Sequence, residues 1–158
     1  MDTRTQRLMA EVIGSLTDRE RFLTQLGRCV EALGFDYFSY IVFSCYPASR
    51  PKMRVEGTFP ARYLEDYRRQ RAYLQDPVIE RAHHSTLQFQ WDESFYHERP
   101  ALWQRMSQFG LHTGWSQSVK DCYGRLGILT FAGKTLPQQT PQAGAVNELF
   151  FLWLAQTA

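Results

Sequence analysis

Long apolar runs are missing from this chain of 158 residues: none approaches the ~18–20 residues of a membrane-spanning helix. The opening stretch, MDTRTQRLMAEVIGS, carries Asp2 and Glu11 and lacks the unbroken apolar core of a signal peptide. Cysteine is scarce. Cys29, Cys45 and Cys122 are an odd number without metal-ligand spacing, which argues against a disulfide framework and fits a reducing cytoplasm. Neither sign of charge dominates, because 18 Lys and Arg against 16 Asp and Glu leave +2, too balanced for a nucleic-acid surface. Internal repeats, low-complexity tracts and linkers are absent, so the length suits one domain with one substantial core.

Signatures of catalysis are missing as well. The sequence holds no Walker loop, no G-x-G-x-x-G, no G-x-S-x-G elbow and no H-E-x-x-H. His83 and His84 are adjacent, so on a helix they diverge by about 100° and do not converge on one metal. Cys29 falls on the apolar side of a helix as a small core residue, and Cys45 and Cys122 have no neighbouring histidine to activate them. The run containing Arg62, Glu65, Asp66, Arg68, Arg69 and Arg71 reads as a solvated helix face. An enzyme is not expected, and neither is a cofactor or a metal.

Aromatic residues are abundant: 11 Phe, 8 Tyr and 4 Trp make up 15 % of the chain, more than a plain core requires. Leu8, Met9, Val12, Ile13 and Leu16 follow helical spacing, and Thr17 to Glu20 reads as a capping box that starts a second helix ending at Gly34. Two strands follow, DYFSYIVFS over 36–44 and KMRVEGT from Lys52, separated by a loop over Cys45–Pro51. Pro60 opens a helix through ARYLEDYRRQRA, and Asp76-Pro77 interrupts the chain before the short helix VIERAHH. The strand LQFQW precedes a helix opened by Pro100 and closed by Gly110, with Leu102, Trp103, Met106 and Phe109 inward. Residues 114–120 and 125–132 form a hairpin around DCYGR, and Thr140 caps a last helix with the apolar stripe Val146, Leu149, Phe150, Trp153 and Leu154. Five short strands with helices before, between and after them predict an α+β fold whose antiparallel sheet is covered on both faces.

One constellation could carry chemistry. Tyr63 and Tyr67 lie four apart on one helix, so their phenols point the same way. Asp76 follows just before a proline, and Trp91 ends a short strand. Phenols, a carboxylate and an indole offer directional donors and one strong acceptor within aromatic walls, an inventory suited to a small ligand that has carbonyls and an amide N–H. A plainer reading makes the three aromatics core residues and Asp76 a helix N-cap. Composition and spacing leave both open.

The stretches FPARYLEDYRRQRAYLQDPVIERA and FQWDESFY, with LGFDYFSYIVF and RPK upstream and FGLHTGWSQSV and LGILTF downstream, resemble the autoinducer-binding domain of LuxR-type quorum-sensing receptors over roughly residues 17–156. That family carries Trp, Tyr, Asp, Pro, Trp and Gly at set spacing. The corresponding residues here are Tyr63, Tyr67, Asp76, Pro77, Trp91 and Gly114, with Tyr63 departing from tryptophan. The resemblance implies an α-β-α sandwich with a central five-stranded antiparallel sheet, and a buried aromatic pocket for an acyl-homoserine lactone or a similar signal. It implies that Asp76, otherwise left unpaired, accepts the ligand amide N–H, that Trp91 stacks beside the lactone, and that Tyr63 replaces an indole donor with a phenol. Tyr67 would line the acyl channel, with Val78, Leu102, Trp103 and Ile128 as walls, and Gly114 would serve backbone geometry. Phe59 stands where several relatives have a tyrosine on the acyl carbonyl, which leaves that role to Thr130. Further expectations are a homodimer, a cytoplasmic location without membrane contact, and DNA binding only through a C-terminal helix-turn-helix domain absent from residues 1–158. Two other readings are a domain-only partner that silences full-length receptors by heterodimerising, and a sensor for a non-lactone ligand.

Overall fold

The computed structural model describes residues 3–15, 17–44, 52–120 and 124–137. Helix α1 spans Thr3–Gly14 and α2 spans Arg19–Ala32, followed by strands β1 (Tyr37–Ser44) and β2 (Lys52–Gly57). Helix α3 (Ala61–Arg69), a 3-10 turn (Ala72–Leu74) and α4 (Pro77–His84) lead to β3 (Phe89–Trp91). Helix α5 (Pro100–Gln108) precedes the hairpin of β4 (Thr113–Lys120) and β5 (Leu126–Gly133). The expected last helix, the loop at 45–51, Cys45, Cys122 and the tip of the hairpin lie outside the described residues.

The five strands form one antiparallel sheet in the order β2-β1-β5-β4-β3, as the sequence pattern and the resemblance both predict. Strand β5 lies at its centre and is buried along its whole length, because both faces are covered. Strand pleating then assigns the side chains. Leu126, Ile128 and Ala132 join the core beneath α3, α4 and α5, while Leu129 and Phe131 join Val12, Phe22, Leu26, Cys29 and Val30 beneath α1 and α2. Each such fully buried large side chain contributes about 1.5–3 kcal/mol of burial energy, which is why the sheet orders its two helical layers. Among the described residues, no helix is long and apolar enough to cross a membrane.

Local chemistry shifts several boundaries. The cap of α2 is Asp18, whose carboxylate accepts from the Arg21 N–H; the expected capping box starting at Thr17 is one residue out of register. Pro60 occupies the N-cap position of α3 and not its first turn. That helix ends at Arg69, because Arg71 takes a left-handed conformation with φ of 50° and starts the 3-10 turn. Gly34, at φ 86°, ends the second helix as expected. The arginine-rich face of α3 is solvated, with Asp66 pairing to Arg69 and crossing to Arg105 on α5.

Candidate functional site

Between the sheet and the α3–α4 layer lies a cavity of about 430 Å³ not filled by protein atoms, the open space at its mouth included. Its floor comes from β1 and β5, through Ser39, Ile41 and Thr130. The walls include Phe59, Tyr63, Tyr67, Val78, Ile79 and Met106, with Asp76 and Trp91 at the polar end.

Helical spacing places Tyr63 and Tyr67 side by side, ring centroids 5.7 Å apart, both buried. The Tyr67 hydroxyl donates to Asp76 Oδ2 at 2.7 Å. Asp76 Oδ1 accepts from the Val78 N–H at 2.9 Å and from the Tyr96 hydroxyl at 3.1 Å. Asp76 is therefore both the N-cap of α4 and an acceptor facing the cavity, and it is not left unpaired as expected. Three donors use three of the roughly four lone-pair directions of a carboxylate, so about one remains. Burial raises the Asp76 pKa against the opposing pull of Tyr67, Val78 and Tyr96. Burial, and then the nearby Asp76 charge, keep Tyr63, Tyr67 and Tyr96 firmly protonated, so all three phenols serve as donors.

Tyr63 differs from its neighbours. It is only 4 % exposed, lies against Phe59 and Phe109, and its hydroxyl makes no hydrogen bond among the described residues. A second groove opens behind it, where Tyr63 and Tyr67 meet Asp66, Gln70, Leu102 and Arg105. The two tyrosines thus form the partition between an inner cavity and an outer groove.

The Trp91 indole donates to Ser116 Oγ at 3.1 Å, and Ser116 Oγ lies 2.8 Å from Thr130 Oγ1. Gly114 faces Trp91 in the β3–β4 register. A Cβ there would come within 2.4 Å of the indole and 2.5 Å of the Phe131 carbonyl. The glycine therefore supplies room for the ring, and not an unusual backbone conformation.

Of the residues singled out from sequence, Phe59, Tyr63, Tyr67, Asp76, Val78, Trp91 and Thr130 converge on the cavity. Three do not. Leu102 lines the outer groove, and Trp103 lines a different surface groove while its indole donates to the His112 carbonyl. Ile128 is buried in the core on the same sheet face without reaching the cavity lining. Sequence reasoning missed Ser39, Ser116 and Tyr96. Ser39 is a small polar residue inside the largely apolar β1, and Ser116, on the mixed strand β4, bonds Thr130 without lining the cavity, so their place shows only once the register is known.

A single antiparallel sheet, covered on both faces and enclosing a largely apolar space with a few polar groups on one of them, defines the class: an α-β-α sandwich domain with an internal cavity. The chain belongs to the autoinducer-binding domain family of LuxR-type quorum-sensing regulators, whose profile, described as "Autoinducer binding domain", matches residues 18–158. Similar sequences include the transcriptional activator protein SolR of Ralstonia nicotianae, 30 % identical over 144 residues, covering 89 % of this chain and 59 % of SolR. The quorum-sensing regulator RhlR of Pseudomonas aeruginosa is 31 % identical over 115 residues, 73 % of this chain and 48 % of RhlR. The chain thus spans about half the length of these relatives. Among solved structures, the N-acylhomoserine lactone dependent LuxR family transcription factor CepR2 of Burkholderia cenocepacia superposes with a TM-score of 0.85 at 24 % identity, over 99 % of this chain and 95 % of that one. SdiA of Escherichia coli, in complex with octanoyl-rac-glycerol, gives 0.79 at 18 % identity, over 98 % and 65 %. SolR is described as a transcriptional activator and RhlR as a quorum-sensing regulator.

Proposed function

We propose that residues 1–158 form the signal-sensing domain of a transcription regulator and bind an acyl-homoserine lactone, or a closely related acylated signal, in the cavity between the sheet and α3–α4. One observation carries the reading: a buried carboxylate, Asp76, faces the same cavity as the phenol of Tyr63, which has no hydrogen-bond partner among the described residues. An acylated amide presents an N–H donor and carbonyl acceptors within one short group, and these match Asp76 on one side and Tyr63 and Thr130 on the other. The aromatic walls receive the apolar chain. SdiA in complex with octanoyl-rac-glycerol supports a wider acyl class, since a phenol both donates and accepts and so suits a hydroxylated headgroup as well as a lactone. DNA contact would be made by a helix-turn-helix domain outside these residues, and the regulator would act as a homodimer in the cytoplasm.

The test is a thermal melt with N-acyl-homoserine lactones of four to fourteen carbons and with octanoyl glycerol, alongside mass spectrometry of any small molecule that co-purifies. A ligand at a hundredfold excess over its Kd adds about 2.7 kcal/mol, and at this chain length each kcal/mol raises Tm by roughly 2–4 °C. No shift with any of them, and no acylated molecule co-purifying, overturns the proposal.

A further inference from the structure

Three hydroxyl-bearing residues lie side by side across the middle of the sheet. Ser39 of β1 pairs in register with Thr130 of β5, and Thr130 pairs with Ser116 of β4. All three are buried. The Trp91 indole closes the row at Ser116.

Counting protons gives this row a direction. An indole N–H can only donate, so Ser116 Oγ accepts from Trp91. Ser116 has one proton of its own, and the Thr130 hydroxyl at 2.8 Å is its one remaining partner among the described residues. Were Thr130 to donate to Ser116 instead, the Ser116 proton would be buried without an acceptor, a cost the reverse arrangement avoids. Polarity therefore runs from Trp91 through Ser116 to Thr130. No hydrogen bond joins Thr130 to Ser39, and Thr130 lines the cavity, so the Thr130 proton is left for whatever occupies it.

We infer that Ser116 is a positioning residue: with Trp91 behind it, it commits the Thr130 hydroxyl to donating into the cavity, and so selects ligands that present a carbonyl to the sheet floor. The ligand half of this inference rests on the cavity being the acyl-signal site; the polarity of the row does not. The sheet thereby offers a donor where Asp76, on the opposite wall, offers an acceptor. Neither Ser116 nor Trp91 needs to touch the carbonyl for this to hold.

The test has two arms. In the ligand-free protein labelled with nitrogen-15, the Trp91 indole N–H signal reports its bond to Ser116. Thr130→Val, which keeps shape and removes the hydroxyl, should move that signal upfield although Thr130 does not bond the indole, and Thr130→Ser should leave it in place. An unmoved signal in Thr130→Val, with or without a shift in Ser116→Ala, overturns the relay; the Thr130 pair decides even if Ser116→Ala fails to fold. In the second arm, octanoyl-homoserine lactone labelled with carbon-13 at the acyl carbonyl is followed by infrared spectroscopy and calorimetry. The bound carbonyl stretch should rise in Ser116→Ala and return in Ser116→Thr, with affinity falling about twofold to tenfold in the alanine variant. An identical carbonyl stretch in Ser116→Ala and the parent overturns the positioning role. Failure of the lactone to bind the parent, with the first arm positive, removes the ligand reading and leaves the polarised row standing.

Discussion

Replacing Asp76 with asparagine separates its structural duty from its ligand duty. In the parent, Asp76 accepts from the Tyr67 hydroxyl on one oxygen and from the Val78 N–H and the Tyr96 hydroxyl on the other. Asparagine keeps a carbonyl oxygen for the second pair. Its amide nitrogen replaces the oxygen facing Tyr67, and a phenol that turns its proton away can accept from it. The three bonds lose their charge assistance, about 0.5–1.5 kcal/mol each by the difference between charged and neutral bonds. Against that loss, a charge whose burial raises its pKa is no longer buried. The opposing contributions leave folding stability within about 1–2 kcal/mol of the parent. Binding has no such compensation, because a ligand N–H directed at the remaining lone pair loses a charge-assisted bond of roughly 1.5–3 kcal/mol. Calorimetry with octanoyl-homoserine lactone should therefore show affinity down about tenfold to a hundredfold, while urea unfolding moves little. Asp76→Ala should instead lose stability by about 2–5 kcal/mol, since it strips the α4 cap and leaves two phenols unpaired. If Asp76→Asn folds and binds within threefold of the parent, Asp76 is a cap alone and the site reading is wrong.

Tyr63→Phe should leave unfolding free energy unchanged, because the hydroxyl has no hydrogen-bond partner among the described residues, yet weaken the ligand about twofold to tenfold in the same calorimetry. Tyr67→Phe serves as its contrast and should lose about 1.5–3 kcal/mol of stability with its bond to Asp76. Gly114→Ala forces a methyl against the Trp91 ring and the Phe131 carbonyl; a loss of about 1–3 kcal/mol in urea unfolding is expected, with a red-shifted tryptophan emission, and a parent-like spectrum would refute the fit. The raised pKa of Asp76 means that its contribution to ligand-free stability is fully present below the unfolded carboxylate value, about 4, and is lost as pH rises through the folded value. A ligand N–H favours the carboxylate, so affinity should climb with pH over that same window and binding should release a proton; calorimetry in two buffers of different ionisation heat measures it, and Asp76→Asn should abolish it.

Periodicity and resemblance made the framework legible. Apolar alternation and turn residues located all five strands, and the tyrosine pair on α3 follows directly from helical spacing. The wall residues were harder. Leu102 and Trp103 sit on the inward side of α5 by spacing, but α5 packs so that Met106 reaches the cavity and those two reach neighbouring grooves. Helical phase says which side faces in; it does not say what lies opposite. Tyr96 was illegible for a related reason, since its turn carries no periodic signal and its partner, Asp76, is 20 residues away.

The two readings of Asp76 that composition left open, cap or ligand acceptor, turn out to be compatible, and the reason is the geometry of a carboxylate. One side chain can bond the first turn of α4 and two phenols and still have capacity for an N–H from the cavity. Capping also fixes the side-chain torsions, and the tyrosines fix the carboxylate plane, so the proposed ligand N–H would meet an acceptor whose ordering cost is already met by folding. The hydroxyl row would do the same for the proposed ligand carbonyl. Ser39, Thr130 and Ser116 are far apart in the chain, and only the order β1-β5-β4 makes them neighbours. On the proposed reading, recognition would depend on two preorganised elements of opposite polarity, one written locally at the start of a helix and one created by strand register, and only the first can be read without the fold.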